Sequence, residues 1–230
     1  MNTPSNPLQR SIQPGARKNA LTFCFLGVLI FAAAMLCWLI EAPLAPAAFG
    51  LLWIASAVLL FLGIAKMLEP ETSLIITPTD ISYTHRRGRW SLPWEAITRF
   101  DAPRVNRGFN LEELPYLGFR IHDIEVLLNR ISPRLMSHII VEQRHLLALG
   151  LRYERPDLRD YSQYYDIPER FVGNSGLEYK GLQAMFAVRS QQLRELLGYD
   201  IYIHASALDR PLDEFIHHLR QLQSSRQHHL

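Results

Sequence analysis

Two runs of residues without charge, 20–40 and 47–65, lie close together near the start of this 230-residue chain and decide most of what it can become. Between residues 20 and 65 the one formal charge is Glu41. A helix over the 21 residues of the first run reaches about 31 Å, the depth of a hydrocarbon core of about 30 Å. Eleven residues of the first run and ten of the second are Leu, Ile, Phe or Val. Each such residue contributes roughly −0.3 to −0.6 kcal/mol at a helix centre, so the first run inserts with about −3 to −7 kcal/mol before smaller contributions. The link Glu41-Ala42-Pro43-Leu44-Ala45-Pro46 carries two prolines that break a helix, and it is short enough to force two spans antiparallel. The expectation is a transmembrane helical hairpin over 20–68, with helices at about 20–40 and 47–65, preceded by a cytoplasmic tail over 1–19.

Charge on the flanks orients the hairpin. Arg10, Arg17 and Lys18 precede the first span, Lys66 closes the second, and the link carries neither Lys nor Arg. Positive residues favour the cytoplasmic side, so both termini are expected there, at a bacterial inner membrane. The rival reading is a cleaved signal peptide, with Arg17-Lys18 as its charged region and Ala45-Pro46-Ala47 as its cleavage site. Against it, the first run is longer than a signal core requires and a second follows at once. Cys24 and Cys37 fall inside the first run, where apolar surroundings disfavour a thiolate, and read as packing residues. Ala32, Ala33 and Ala34 are small enough to let the second helix approach.

The remainder is a different kind of sequence. Residues 72–230 carry 20 Lys+Arg against 19 Asp+Glu, without the positive surplus expected of a nucleic-acid binder. No third spanning run follows, which excludes a polytopic transporter or channel. Period-two patterning predicts strands over 74–77 and 81–85, with Ile81 and Tyr83 on one face and a Pro78-Thr79-Asp80 turn between them. Arg86-Arg87-Gly88 reads as the next turn, Trp90 and Leu92 alternate after it, and 93–97 is a short helical turn leading into a stretch through Phe100. Leu117, Phe119 and Ile121 make a further strand in which Gly118 marks a bulge or bend.

Ser132 as N-cap and Pro133 at the first helical position open a helix with Leu135, Met136, Ile139, Ile140, Leu146 and Leu147 on its apolar face, ended by Gly150. Residues 152–167 are irregular, 173–176 are a plain turn, 177–188 a strand, 190–197 a short helix closed by Gly198, and 199–203 a strand. Asp209 and Pro211 open a last helix that buries Leu212, Phe215, Ile216, Leu219 and Leu222. Strands first and an amphipathic helix last give an α+β class.

The stretch from Ser73-Leu74-Ile75-Ile76-Thr77-Pro78-Thr79-Asp80-Ile81 to Gly88-Arg89-Trp90-Ser91-Leu92-Pro93-Trp94 and Ile97 resembles the opening strands of bacterial pleckstrin-homology-like domains. The ending, from Gly198-Tyr199-Asp200-Ile201 to Leu208-Asp209-Arg210-Pro211-Leu212-Asp213-Glu214-Phe215, is similar to their last strand and capping helix. The resemblance implies a small, strongly bent antiparallel sheet over 72–230, capped by the C-terminal helix. Such domains often follow a two-helix membrane hairpin and serve as binding platforms without catalytic residues, several of them with no assigned function. Residues 123–176 depart from the pattern as a long insertion, and no ligand residue carries over.

No glycine-rich phosphate loop, hydrolase elbow, Cys-x-x-Cys pair or zinc spacing occurs, so no catalytic, cofactor or metal motif is assigned. His138, Glu142 and His145 share a helix face with Arg134, which reads as a solvated surface in preference to a metal site. Arg86, Arg87 and Arg89, close in sequence to the second span, are candidates for contact with anionic lipid headgroups, against the alternative of a solvated turn. Tyr161, Tyr164, Tyr165, Arg155 and Arg159 are candidates for contact with a protein partner, since tyrosine and arginine dominate interface energetics. The competing role is to pin the insertion to the sheet. Two functions result: a non-catalytic scaffold for a protein partner, or a membrane-associated enzyme or lipid-handling protein with a site between the insertion and the bilayer.

Overall fold

An apolar chain with nothing polar at hand must hydrogen-bond its own backbone, and both runs are helical. The computed structural model describes residues 10–12, 19–41, 43, 45–68, 73–108, 110–166 and 168–227, and it divides into two units, one being Gly15–Pro70. In that unit α1 (Ala20–Leu39) and α2 (Pro46–Leu68) form a hairpin. Both helices are long and apolar enough to cross a membrane. Their contact is built on small residues. A Cβ on Gly27 would come within 2.9 Å of Leu60 Cγ, Ser56 Oγ donates to the Gly27 carbonyl at 3.0 Å, and Phe31 meets Trp53 edge-on at 4.8 Å. Of the three alanines expected at the contact, Ala34 is buried there, while Ala32 and Ala33 face outward.

The second unit is α+β. Strand β1 (Arg10–Ile12), which precedes the hairpin, pairs antiparallel with β2 (Ser73–Ile76), which follows it. Residues 10–12 of the expected tail therefore belong to a sheet, ordered β1-β2-β3-β4, with β3 (Asp80–His85) and β4 (Gly88–Pro93). A 3-10 turn, Trp94–Ala96, leads to β5 (Ile97–Asp101). The hairpin of β6 (Arg104–Arg107) and β7 (Asn110–Glu113) follows, then β8 (Tyr116–Ile121). Helices α3 (Ile124–Leu128), α4 (Pro133–Glu142) and α5 (Arg144–Glu154) come next, and a 3-10 turn at Ser162–Tyr164. The hairpin of β9 (Arg170–Val172) and β10 (Glu178–Lys180) precedes α6 (Leu182–Leu197), β11 (Ile201–His204) and α7 (Leu212–Gln227).

Strands β11, β8 and β5 form a second antiparallel sheet in that order, with β8 in the middle, and it is covered on both faces. Leu117, Phe119, Ile121, Ile201 and Ile203 enter one core with Trp90, Leu92 and the Phe215, Ile216 and Leu219 side chains of α7. Tyr116 and Tyr202, on the alternate positions, enter a second core with Leu146, Leu147 and Leu151 of α5 and Leu193, Leu196 and Leu197 of α6. The sheet is thus a partition between two cores.

Several expectations are corrected. The helix expected over 132–150 is two helices that meet at Gln143, a buried residue whose Nε2 donates to the Tyr202 carbonyl at 3.3 Å, and the second continues past Gly150 to Glu154. Ser132 stands at the N-cap position, but its side chain makes no capping bond and its Oγ is buried without a partner. The expected strand 177–188 is three residues of β10, a turn at Gly181 with φ 58°, and the first half of α6. Gly118 marks neither a bulge nor a bend. The register shift lies on β5 between Ile97 and Arg99, and Gly118 instead leaves room for the Tyr199 ring.

Candidate functional site

The arginine turn between β3 and β4 is held from behind. Gly88 has φ 138°, and a Cβ there would lie 1.7 Å from Ser132 Oγ, so only glycine permits the approach to the start of α4. Ser132 N–H donates to the Arg89 carbonyl at 3.0 Å, and the Arg87 N–H donates to His85 Nδ1 at 3.2 Å. This leaves the Arg86, Arg87 and Arg89 side chains exposed and, among the described residues, without a carboxylate partner.

The histidine face is less solvated than its spacing implies. His138 is partly buried and stacks on His85 at 4.7 Å between ring centres, with Glu142 Oε2 at 3.5 Å from its Nε2. Burial and the neighbouring His138 hold His85 below its ordinary value of 6.5, opposed by Glu142. His145 faces elsewhere: its Nδ1 lies 2.8 Å from the Glu142 carbonyl and its Nε2 2.6 Å from Tyr116 Oη. A carbonyl only accepts, so in the neutral ring Nδ1 carries the proton and Tyr116 Oη donates to Nε2. Among the described residues no group of three His, Cys, Asp or Glu side chains could hold a metal ion.

The tyrosine segment is split between two roles. Tyr161 and Tyr164 are half-buried and pack against the second core beside Tyr153. Tyr161 Oη donates to the Arg155 carbonyl at 3.3 Å, and Arg155 Nη1 donates to Tyr164 Oη at 3.4 Å while its other edge pairs with Asp157. Asp160 caps the 3-10 turn, accepting from Ser162 N–H at 2.9 Å and Ser162 Oγ at 2.8 Å, and these bonds lower its carboxyl pKa. Arg159 and Tyr165 are the exposed members. The Tyr165 ring has two cations beside it: the guanidinium carbons of Arg144 and Arg189 lie 5.7 and 5.9 Å from its centre.

Two features escaped the sequence reading. The turn 173–176 is not plain, because it wraps a buried carboxylate. Glu125 accepts from Ser175 N–H at 2.8 Å, Ser175 Oγ at 2.5 Å and Tyr179 Oη at 3.2 Å, and a Cβ on Gly173 would fall 2.0 Å from its Oε1. Beside it a cleft is lined by His122, Ile124, Phe171, Asn174, Gln191 and Arg194. Arg194 is already committed there: Nε donates to Asp200 at 2.6 Å and Nη2 to the Ile121 carbonyl at 2.6 Å, while Asp200 also accepts from Ile121 N–H at 2.8 Å. Burial raises the Asp200 carboxyl pKa, with Arg194 pulling against it. The paired glycines around Asn174-Ser175 were the available signal for the cradle. Nothing local in sequence marks the cleft, whose walls come from positions 122 to 194.

A family model described as "Protein of unknown function (DUF2982)" matches residues 74–225. No curated protein and no solved structure matches the chain. Since the match runs over more than half of the sequence and takes in nearly all of the α+β unit, the chain belongs to the DUF2982 family.

Proposed function

We propose that the chain is a membrane-anchored, non-catalytic platform: a hairpin fixed in a bacterial inner membrane, both termini cytoplasmic, presenting a pleckstrin-homology-like domain to a protein partner. The observation that carries it is the pairing of β1 with β2, the strands on either side of the apolar hairpin. A ladder of backbone hydrogen bonds does not form through a bilayer, so both ends of the hairpin belong on one side, joined to the same folded domain. Small antiparallel sheets and an α7 that buries Phe215, Ile216 and Leu219 in one core with Leu117 and Phe119 of β8 support the pleckstrin-homology-like reading.

The partner surface is assigned to the exposed part of the tyrosine segment, Arg159 and Tyr165, with Tyr161, Tyr164 and Arg155 holding that segment against the second core. Purification in mild detergent after cross-linking tests this. A stoichiometric protein that is retained by the native chain, and lost from a variant with Arg159→Glu and Tyr165→Ala that still melts cooperatively, supports the platform. Retention by that variant places the contact elsewhere.

One observation favours the second reading, a lipid-handling or enzymatic site. The chain brings the arginine turn and the histidine helix together, through the stack of His85 on His138. In that case Arg86, Arg87 and Arg89 contact headgroups, and the purified chain retains bound lipid or metal in place of a protein.

A further inference from the structure

Two arginines on neighbouring helices share one aromatic ring and have no counterion. Arg144 opens α5 and is exposed, and Arg189 lies mid-way along α6 and is half-buried. Both lie beside Tyr165, and among the described residues neither forms an ion pair. Guanidiniums repel, and a desolvated N–H without an acceptor is costly, so an anion held beside the pair would relieve both.

The buried polar groups point the same way. Arg189 Nη1 is buried with no hydrogen-bond partner, and so is Gln192 Oε1 one turn further along α6. Positions i and i+3 are neighbours on a helix surface, so one face of α6 carries both unpartnered groups. Burial lowers the Arg189 pKa, Arg144 lowers it further, and Tyr165 alone opposes them, with no carboxylate acting on it.

We propose that Arg144, Tyr165 and Arg189 form a binding site for a phosphate group, free or carried on a lipid headgroup. Phosphate fits better than a carboxylate. Near neutral pH it carries close to two negative charges to match two guanidiniums, and its oxygens accept from an arginine fork in bidentate fashion. The site goes beyond the partner reading and does not depend on it, because its test reads phosphate with no protein added.

The full chain in phosphate-free maltoside micelles is titrated with inorganic phosphate at matched ionic strength, and in parallel with micelles doped with phosphatidic acid or phosphatidylcholine. Thermal unfolding and calorimetry are the readouts. A saturable rise in midpoint is expected with phosphate or with phosphatidic acid, and the responding arm identifies the source. Arg144→Gln, at an exposed position, is expected to weaken the apparent affinity about tenfold or more. Arg189→Lys, which keeps the charge and loses the fork, is expected to weaken it as well. No rise in either arm overturns the proposal, as does a rise that Arg144→Gln leaves unchanged.

Discussion

At the scale of single residues, a carboxylate taken almost wholly out of water persists only if hydrogen bonds replace its hydration. Glu125 is 6 % exposed and receives three such bonds from the turn 173–176 and from Tyr179, so its side chain fastens β9 and β10 to α3. The Ser175 bonds hold its pKa below the ordinary value of 4.5. A depressed carboxyl pKa stabilises the fold at pH above the unfolded value, and that contribution disappears as pH falls through the lower folded value. The unfolding midpoint of the native chain is therefore expected to fall on acidification below about pH 4.5, and Glu125→Gln to start lower and flatten that acid limb. An acid limb of unchanged steepness in the variant would remove Glu125 from this role. The same geometry sets the cost of a side chain at Gly173: a Cβ there overlaps the carboxylate, so Glu125 must shift and its bonds to Ser175 are disturbed.

Among the elements, β8 carries the densest set of constraints because both of its faces are buried. Gly118 has an ideal Cβ position 2.5 Å from Tyr199 Cγ, and that ring is fixed in turn by Tyr202 edge-on at 6.3 Å and by Arg99 over its face at 4.8 Å. Overpacking a well-filled core costs about 1–3 kcal/mol. Gly118→Ala is expected to lower stability by about that amount in chemical denaturation, and a variant as stable as the native chain would show that Tyr199 moves freely.

The elements that sequence reveals are those whose large apolar residues recur at a regular period. Strand β4 buries Trp90 and Leu92 at alternate positions, β8 sends Leu117, Phe119 and Ile121 into one core, and α7 places Phe215, Ile216 and Leu219 at helical spacing. Others give no such signal. Residues 182–188 are apolar except at Gln183, a short run that fits a buried strand as well as a helix, and the turn at Gly181 and burial at Ala184, Ala187, Ser190 and Leu193 reveal the helix. Strands β6 and β7 bury Val105 alone, so no pattern marks them. The candidate surfaces follow the same rule. That Arg86 and Arg87 are exposed is readable from a turn, whereas Tyr161 and Tyr164 against the second core, and Arg144 and Arg189 beside Tyr165, depend on α5 and α6 packing together.

For the whole molecule, the decisive constraint is that a hairpin of two helices long and apolar enough to cross a membrane interrupts a sheet. Residues 10–12 and 73–76 are separated by both apolar helices and yet are paired at Arg10 with Ile76, Ser11 with Ile75 and Ile12 with Leu74. One helix crossing while the other lies along the surface would leave β1 and β2 on opposite sides of about 30 Å of hydrocarbon, and the ladder could not form. Two crossings restore it. On the proposed topology charge chooses the side: Lys66 and the basic residues before α1 flank the helices, and the link holds none. In a background lacking Cys24 and Cys37, a cysteine at Ala45 in the link is expected to react with an impermeant thiol reagent added to intact cells. A cysteine at the exposed Ser206, next to β11, is expected to react only after the membrane is broken. The reverse pattern would invert the orientation and leave the hairpin standing. Equal labelling of both positions in intact cells would mean that the link and the domain lie on the same side, which two spanning helices do not allow.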